Sequence, residues 1–319
     1  MIRFLVRRVL FGILVLWLIS VAVFVLFFVA PHDPARAIAG RQATAETVAL
    51  VEHRLGLDQP VLTQYWHFLV RLAHGDLGYS YYNSEPVRSL IVARLPVTLS
   101  LTLGGAILWL LLGVGIGIAS ARHPRSLLDR SATVFVLGGL SMPTFLVGLL
   151  LLYFLFFRLH LLGVDAFPGG GYVPFTQSPA QWAQHLILPW LTLALVSAAT
   201  YSRLTRGSLL EVFGEDYVRT ARAKGITEQR VVYRHALRSA LTPVVTQLGI
   251  DVGALLGGAI ITENVFGLPG LGQLAVQSVV TQDLPVIVGI VLVAAFFVVA
   301  ANIVVDFLYA VLDPRVRRR

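Results

Sequence analysis

No cysteine occurs anywhere in the chain. Disulfides, thiolate nucleophiles and Cys-ligated metals are therefore excluded. The eight histidines are scattered, with no His-x-x-x-His pair, so no metal centre is indicated. No Walker-type glycine loop followed by Lys and Ser or Thr is present. The chain is thus not expected to hydrolyse ATP by that route, nor to act as an enzyme. No clear nucleophile–base pair lies within the apolar runs. Charge is also scarce: 13% of residues are Asp, Glu, Lys or Arg, against roughly a quarter in soluble domains.

What fills the space is apolar. Hydrophobic residues make up 56% of the 319, and mean hydropathy is +0.77. A soluble domain of this size cannot cover that surface. The net charge of +8 and pI near 10.2 raise the question of nucleic acid. The basic residues instead cluster beside apolar runs, which argues against it and points to membrane lipids.

A helix needs roughly 20 apolar residues to cross the hydrocarbon core. Six runs qualify, at about 9–30, 97–121, 132–157, 186–206, 239–262 and 284–312. Open strands leave backbone groups unpaired in lipid, so the spans are helices. The expected fold is an all-α integral membrane protein with six transmembrane helices. Six spans put both termini on one side, and Lys and Arg choose the side. The termini and the segments that share their side carry 18 of the 25 basic residues. Both termini are therefore expected in the cytoplasm. The basic start followed by an apolar run resembles a signal peptide, but the run is long and "FVAPHDP" lacks a small-x-small site. It is read as a retained first helix.

The domain reading follows. Residues 1–8 form a cytoplasmic N-terminus, 9–30 the first span and 31–96 an outer loop. Residues 97–312 form the main transmembrane domain, with a cytoplasmic loop at 207–238, and 313–319 a basic cytoplasmic tail. The outer loop carries helix signals: Thr44 as a cap with a stop at Gly56, then Pro60 as a first helical residue with a stop at Gly75. Tyr65, Trp66 and Phe68 suit the headgroup level. Short amphipathic helices over the span ends are favoured here over a dedicated ligand site.

The densest charge is "DYVRTARAKGITEQRVVYRHALRS", residues 216–239. Asp216 opens a helix and Lys224 closes it, an order that suits the helix dipole. Gly225 supplies the left-handed residue that ends many helices. Thr227 and Glu228 then start a second one. Tyr217, Val218 and Ala221 make a small apolar stripe, with Arg219, Arg222 and Lys224 mostly off it. Such a helix fits a partner's groove or lies on lipid. A plain positive-inside anchor explains the charge but not the caps and the glycine.

Here the sequence resembles the permease subunits of binding-protein-dependent ABC importers. Arg219, Thr220, Ala221 and Gly225 stand at the positions of that family's Glu-Ala-Ala-x-x-x-Gly signature. The departures, and "RHALR" after them, resemble its dipeptide, oligopeptide and nickel branch. "APHDP", "LGLDQPVLTQYWHFL", "HGDLGYSY", "ENVFGLPGLGQL" and "NIVVDFLYAVLDPR" are similar to that branch along nearly the whole chain, with His32 where glycine is usual. The long outer loop resembles the first of the two permeases such systems carry. The resemblance implies that residues 216–225 form a cytoplasmic coupling helix, between spans four and five, docking on an ATPase. It also implies a homologous second permease, two ATPases holding ATP and Mg, an extracytoplasmic substrate-binding protein, and a bacterial inner-membrane location. No cofactor is expected in this chain itself. Alternating-access import of dipeptides or oligopeptides is the expected function. Nickel complexes or another small solute are the alternative. A self-contained channel or secondary transporter is the reading from another class, and lacks coupling charges.

Within the spans, Gln247 and Asp251 share one helix face, and ionisable groups at that depth face a cavity or a partner. They either line the translocation path or tie helices together. Gly249, Gly253 and Gly257 form a separate small-residue face for helix packing. Asn302 and Asp306 are expected to pair with a nearby Arg. Pro143 in "SMPTF" is expected to kink the third span.

Overall fold

The computed structural model describes residues 2–29, 34–39, 43–55, 58–80 and 82–312. The turn at His32, the stop at Gly56 and the basic tail lie outside these residues.

The described chain is helical apart from one two-stranded hairpin. Helix α1 (Ile2–Phe24) runs on as a π-helical turn, Val25–Val29. Three short helices follow, α2 (Pro34–Ala39), α3 (Ala45–Leu55) and α4 (Val61–Ala73), then β1 (Tyr79–Ser80) and β2 (Glu85–Pro86). The Thr44 hydroxyl accepts the Thr47 N–H at the start of α3. Pro60 is the cap of α4 rather than its first residue, and Gly75 ends the turn after it at φ +74°.

The membrane-length helices are α5 (Val87–Arg122) and α9 (Pro179–Phe213), with α6 (Leu127–Ser141), α7 (Thr144–Leu151) and α8 (Leu159–Leu161) between them. A π-helical segment, Leu152–Arg158, joins α7 to α8. Helix α5 begins ten residues before the expected span at Val97, and Pro96 sits inside it. The added turns are held by contacts that hydropathy does not register: Val87 and Ile91 are buried against Leu271, Leu274 and Val286. Helix α9 likewise overruns the expected 186–206 at both ends, from a Ser178 cap to Gly214. At "SMPTF" the expected kink is a full break, with Met142 and Pro143 extended between α6 and α7.

After α10 (Asp216–Ala223), the chain returns through α11 (Glu228–Arg230), the π-helical segment Val231–Ala236 and α12 (Leu237–Ala240). It then bends by 51° into α13 (Thr242–Leu256). That helix ends six residues before the expected 262, because Gly258 takes φ +126° and turns the chain into α14 (Ile260–Val265). Helix α15 (Leu271–Val280) and α16 (Leu284–Leu312) complete the fold.

Among the described residues, five helices are long and apolar enough to cross a membrane. A sixth span is counted when the bent pair Glu228–Ala240 and Thr242–Leu256 is taken as one.

The main core lies between α5 and α9. Trp109, Tyr201, Leu101 and Leu186 are fully buried there. The close approach depends on glycine. A Cβ at Gly113 would fall 2.5 Å from the Tyr201 Cβ, and one at Gly117 would fall 2.6 Å from that of Thr205. Small residues allow helix backbones to meet in this way where lipid gives no hydrophobic drive. Helix α1 docks on α16, and α4 covers their shared end. Phe68 of α4 is buried beside Phe24, and Tyr65 bonds to Ser20. Trp66, by contrast, is exposed.

Candidate functional site

The charged 216–239 stretch folds as two helical arms around one turn. Glu215 is the cap residue of α10, and Asp216 lies in its first turn. Lys224 ends the helix, and Gly225 follows at φ +72° in open space. Only the backbone conformation selects glycine there. Arg222 donates twice to Glu228 across the turn, at 3.0 and 2.7 Å. Its guanidinium also lies over the Phe213 ring, 5.2 Å from the centroid. The hydrogen bonds from Arg222, with its charge, hold the Glu228 carboxyl below its usual range. Both side chains are substantially exposed, so the pair contributes at most about 1 kcal/mol, screened by salt. Its main effect is to fix the angle of the turn.

The expected stripe is divided. Val218 and Ala221 are buried in the chain's own core, with Leu209, Val231, Val232 and Ala236. They are not an outward docking face. The return arm claims them because Val231, Val232 and Ala236 form a matching apolar face one helix away. Tyr217 stays exposed, and its hydroxyl donates to Ser239 Oγ at 3.2 Å. The outward side of α10 and its cap therefore consists of Asp216, Tyr217, Arg219, Thr220, Arg222, Ala223 and Lys224.

At the same end of the bundle, Asp129 and Arg206 form an ion pair that the sequence reading missed. Arg206 donates to both Asp129 oxygens, at 2.8 and 3.1 Å. The Ser120 hydroxyl and the Arg125 N–H also donate to that carboxylate. These bonds, Arg206 first, hold the Asp129 carboxyl well below its ordinary value. The group ties α5, α6 and α9 together next to the arm that carries α10. Its only sequence signal was an acid beside a capping serine, "SLLD".

In α13, Gln247 donates to Asp251 Oδ1 and Tyr201 of α9 donates to Asp251 Oδ2, both at 2.9 Å. The two expected polar residues thus meet, and Asp251 reaches a neighbouring helix. The glycine face lies on α16. A Cβ at Gly249 would fall 2.3 Å from Val305 Cγ2, one at Gly253 3.2 Å from the Val298 Cα, and one at Gly257 2.9 Å from the Ala294 Cβ. Arg8 of α1 pairs with Asp306 at 3.2 Å, while Asn302 bonds within its own helix.

The sequence reading also missed Glu263. It has no solvent exposure. Thr98 of α5 donates to its Oε1 at 2.7 Å, and the Gln273 N–H donates to Oε2 at 2.9 Å. A carboxylate at the start of α15 satisfies orphan donors there. Near the same face, Ser80 of the hairpin donates to the buried Asp283. No cluster of three or more His, Cys, Asp or Glu suited to a metal occurs among the described residues.

The family pattern described as "Binding-protein-dependent transport system inner membrane component" matches residues 113–318, and its N-terminal companion matches residues 1–102. The chain belongs to this family. It is a permease of a binding-protein-dependent ABC importer and a component of the bacterial inner membrane. Such a permease operates with ATPase and substrate-binding partners. Among its relatives is the glutathione transport system permease protein GsiC of Salmonella typhimurium, 42% identical over 317 residues and 99% of each chain. A provisionally named peptide transport system permease protein of Brucella abortus is 41% identical over 311 residues, 98% of each. The membrane fold is shared with a chain of the MetNI methionine ABC transporter. That match has a TM-score of 0.51 at 21% identity, over 68% of this permease and 95% of the other chain. The family is that of a membrane permease component of ABC transporters, not of a catalytic subunit.

Proposed function

We propose that this permease imports peptide-type solutes by alternating access. The observation that carries the substrate class is the end-to-end similarity to permeases named for glutathione and peptides. In this reading the chain makes six spans with both termini in the cytoplasm. It pairs with a homologous second permease and two ATPases that hold ATP and Mg, and it receives substrate from an extracytoplasmic binding protein. Helix α10 is the coupling element. Its exposed polar side, with Asp216, Arg219 and Lys224, meets the ATPase, and the buried pair Val218 and Ala221 fixes that side to the return arm. The sequence reading of a buried apolar contact with the partner is replaced by this arrangement. Gln247 and Asp251 border the path, and the Tyr201 bond gives Asp251 a helix-tying role as well. Nickel complexes remain the alternative cargo.

Two outcomes are expected. Proteoliposomes holding the complete importer should accumulate labelled di- and tripeptides or glutathione only with ATP and the loaded binding protein. Uptake of a nickel complex and of no peptide would overturn the substrate class. Orientation is checked by thiol labelling, which needs no prior cysteine removal. Ser84→Cys should react with an impermeant reagent from outside, and Thr227→Cys should not. The reverse pattern would invert the topology.

A further inference from the structure

A recess opens where α1, α4 and α16 meet, at the end of the bundle that carries the hairpin. Its walls include Phe27, Phe28, Phe68, Val288 and Leu292, and it is open to the outside as a shallow groove. Arg71 and Asp76 stand among these apolar walls. Arg71 is half-buried, and among the described residues no hydrogen bond or ion pair holds its side chain. Burying an unpaired charge is costly, so a half-buried guanidinium without a partner favours an anion. A second arginine, Arg88, brings Nη1 within 3.8 Å of the place a Cβ on Gly75 would take, on the turn that follows Arg71. Elsewhere α1 and its π-helical turn expose apolar side chains such as Leu18 and Leu26. Tyr79, which lines the recess, is exposed, as aromatic residues are at the headgroup level.

We propose that this recess holds one phospholipid of the adjacent leaflet, with an acyl chain between α1, α4 and α16 and its phosphate on Arg71. An ordinary acyl chain supplies the apolar filling, and the phosphate supplies the missing counter-charge. In the proposed topology this is the outer leaflet, but the site is defined by its residues and does not depend on the orientation. Asp76 shares the recess, but it is exposed to solvent, its Oδ1 accepts the Gly78 N–H, and it forms no ion pair with Arg71. The lipid ties α4 to the first and last spans.

The test uses the assembled importer in vesicles containing phosphatidylglycerol with a photoactivatable group at the acyl terminus. Cross-linked peptides are mapped by mass spectrometry. Label should concentrate on segments 68–79 and 284–292. It should fall several-fold in Arg71→Gln, and in Leu72→Trp, which fills the recess. Arg158→Gln, outside the recess, should leave it unchanged. A diacylglycerol probe with the same chains, lacking phosphate, should label these segments more weakly. Label spread evenly over the exposed faces of α1 and α16 would overturn the proposal. So would labelling unaffected by Arg71→Gln in a normally assembled complex, or equal labelling by the diacylglycerol probe. If Leu72→Trp fails to assemble, the Arg71→Gln result decides.

Discussion

Glu263→Ala should strip most of the assembled permease from the membrane. The carboxylate is fully buried and accepts from two donors that have nowhere else to turn, the Thr98 hydroxyl and the Gln273 N–H. Thr98 in turn accepts the Leu271 N–H, at 2.8 Å, so one side chain organises the start of α15 against α5. Each orphaned buried donor costs about 1–3 kcal/mol, and the void left by the side chain adds to that. The expected loss is therefore about 3 kcal/mol or more, a large share of the stability of an ordinary domain. Glu263→Gln keeps one acceptor and should fall between the two. Gly270→Ala offers an independent route to the same failure, because its Cβ would lie 2.3 Å from the Glu263 Cδ. The reading is the yield and melting temperature of the complex in detergent, with Glu211→Ala, exposed on α9, as the control. An unchanged melting temperature in Glu263→Ala would show that the capping network does not support the fold.

The helical spans were legible because hydropathy is local. The sixth expected span, 284–312, coincides with α16. The turn at Gly225 was legible too, since only glycine takes φ +72° without strain. Span ends were less so. Helix α5 starts at Val87 because of buried contacts with α15 and α16, and a hydropathy window does not sense a partner. The polar tethers were the least legible. Ser80 meets Asp283 across 203 residues, Thr98 meets Glu263 across 165, and Arg206 meets Asp129 across 77. Each residue alone looks like an ordinary polar group near a span end. The stripe of Tyr217, Val218 and Ala221 shows the same limit. Periodicity found a small apolar face but not what covers it, and the covering residues, Val231, Val232 and Ala236, belong to the same chain.

The coupling role proposed for α10 divides its residues into two kinds, which should fail differently. Ala221 is 6% exposed inside the cluster of the two arms. Ala221→Asp places an unpaired charge there, a change that is strongly destabilising, by about 3–5 kcal/mol in comparable buried settings. It should melt the 215–240 arms, and transport should be lost together with thermal stability. Arg219 is exposed and off that cluster. Arg219→Glu should leave the permease abundant and as stable as the parent, because surface charges away from a network contribute little to folding. What it reverses is the charge that the proposed contact offers to the ATPase. The decisive measurement is ATP hydrolysis by the reconstituted importer carrying Arg219→Glu, with and without loaded binding protein, beside its melting temperature. The account predicts normal melting with stimulation and transport largely lost. Normal stimulation and transport in that variant would contradict it, and the segment would then be only a cytoplasmic anchor.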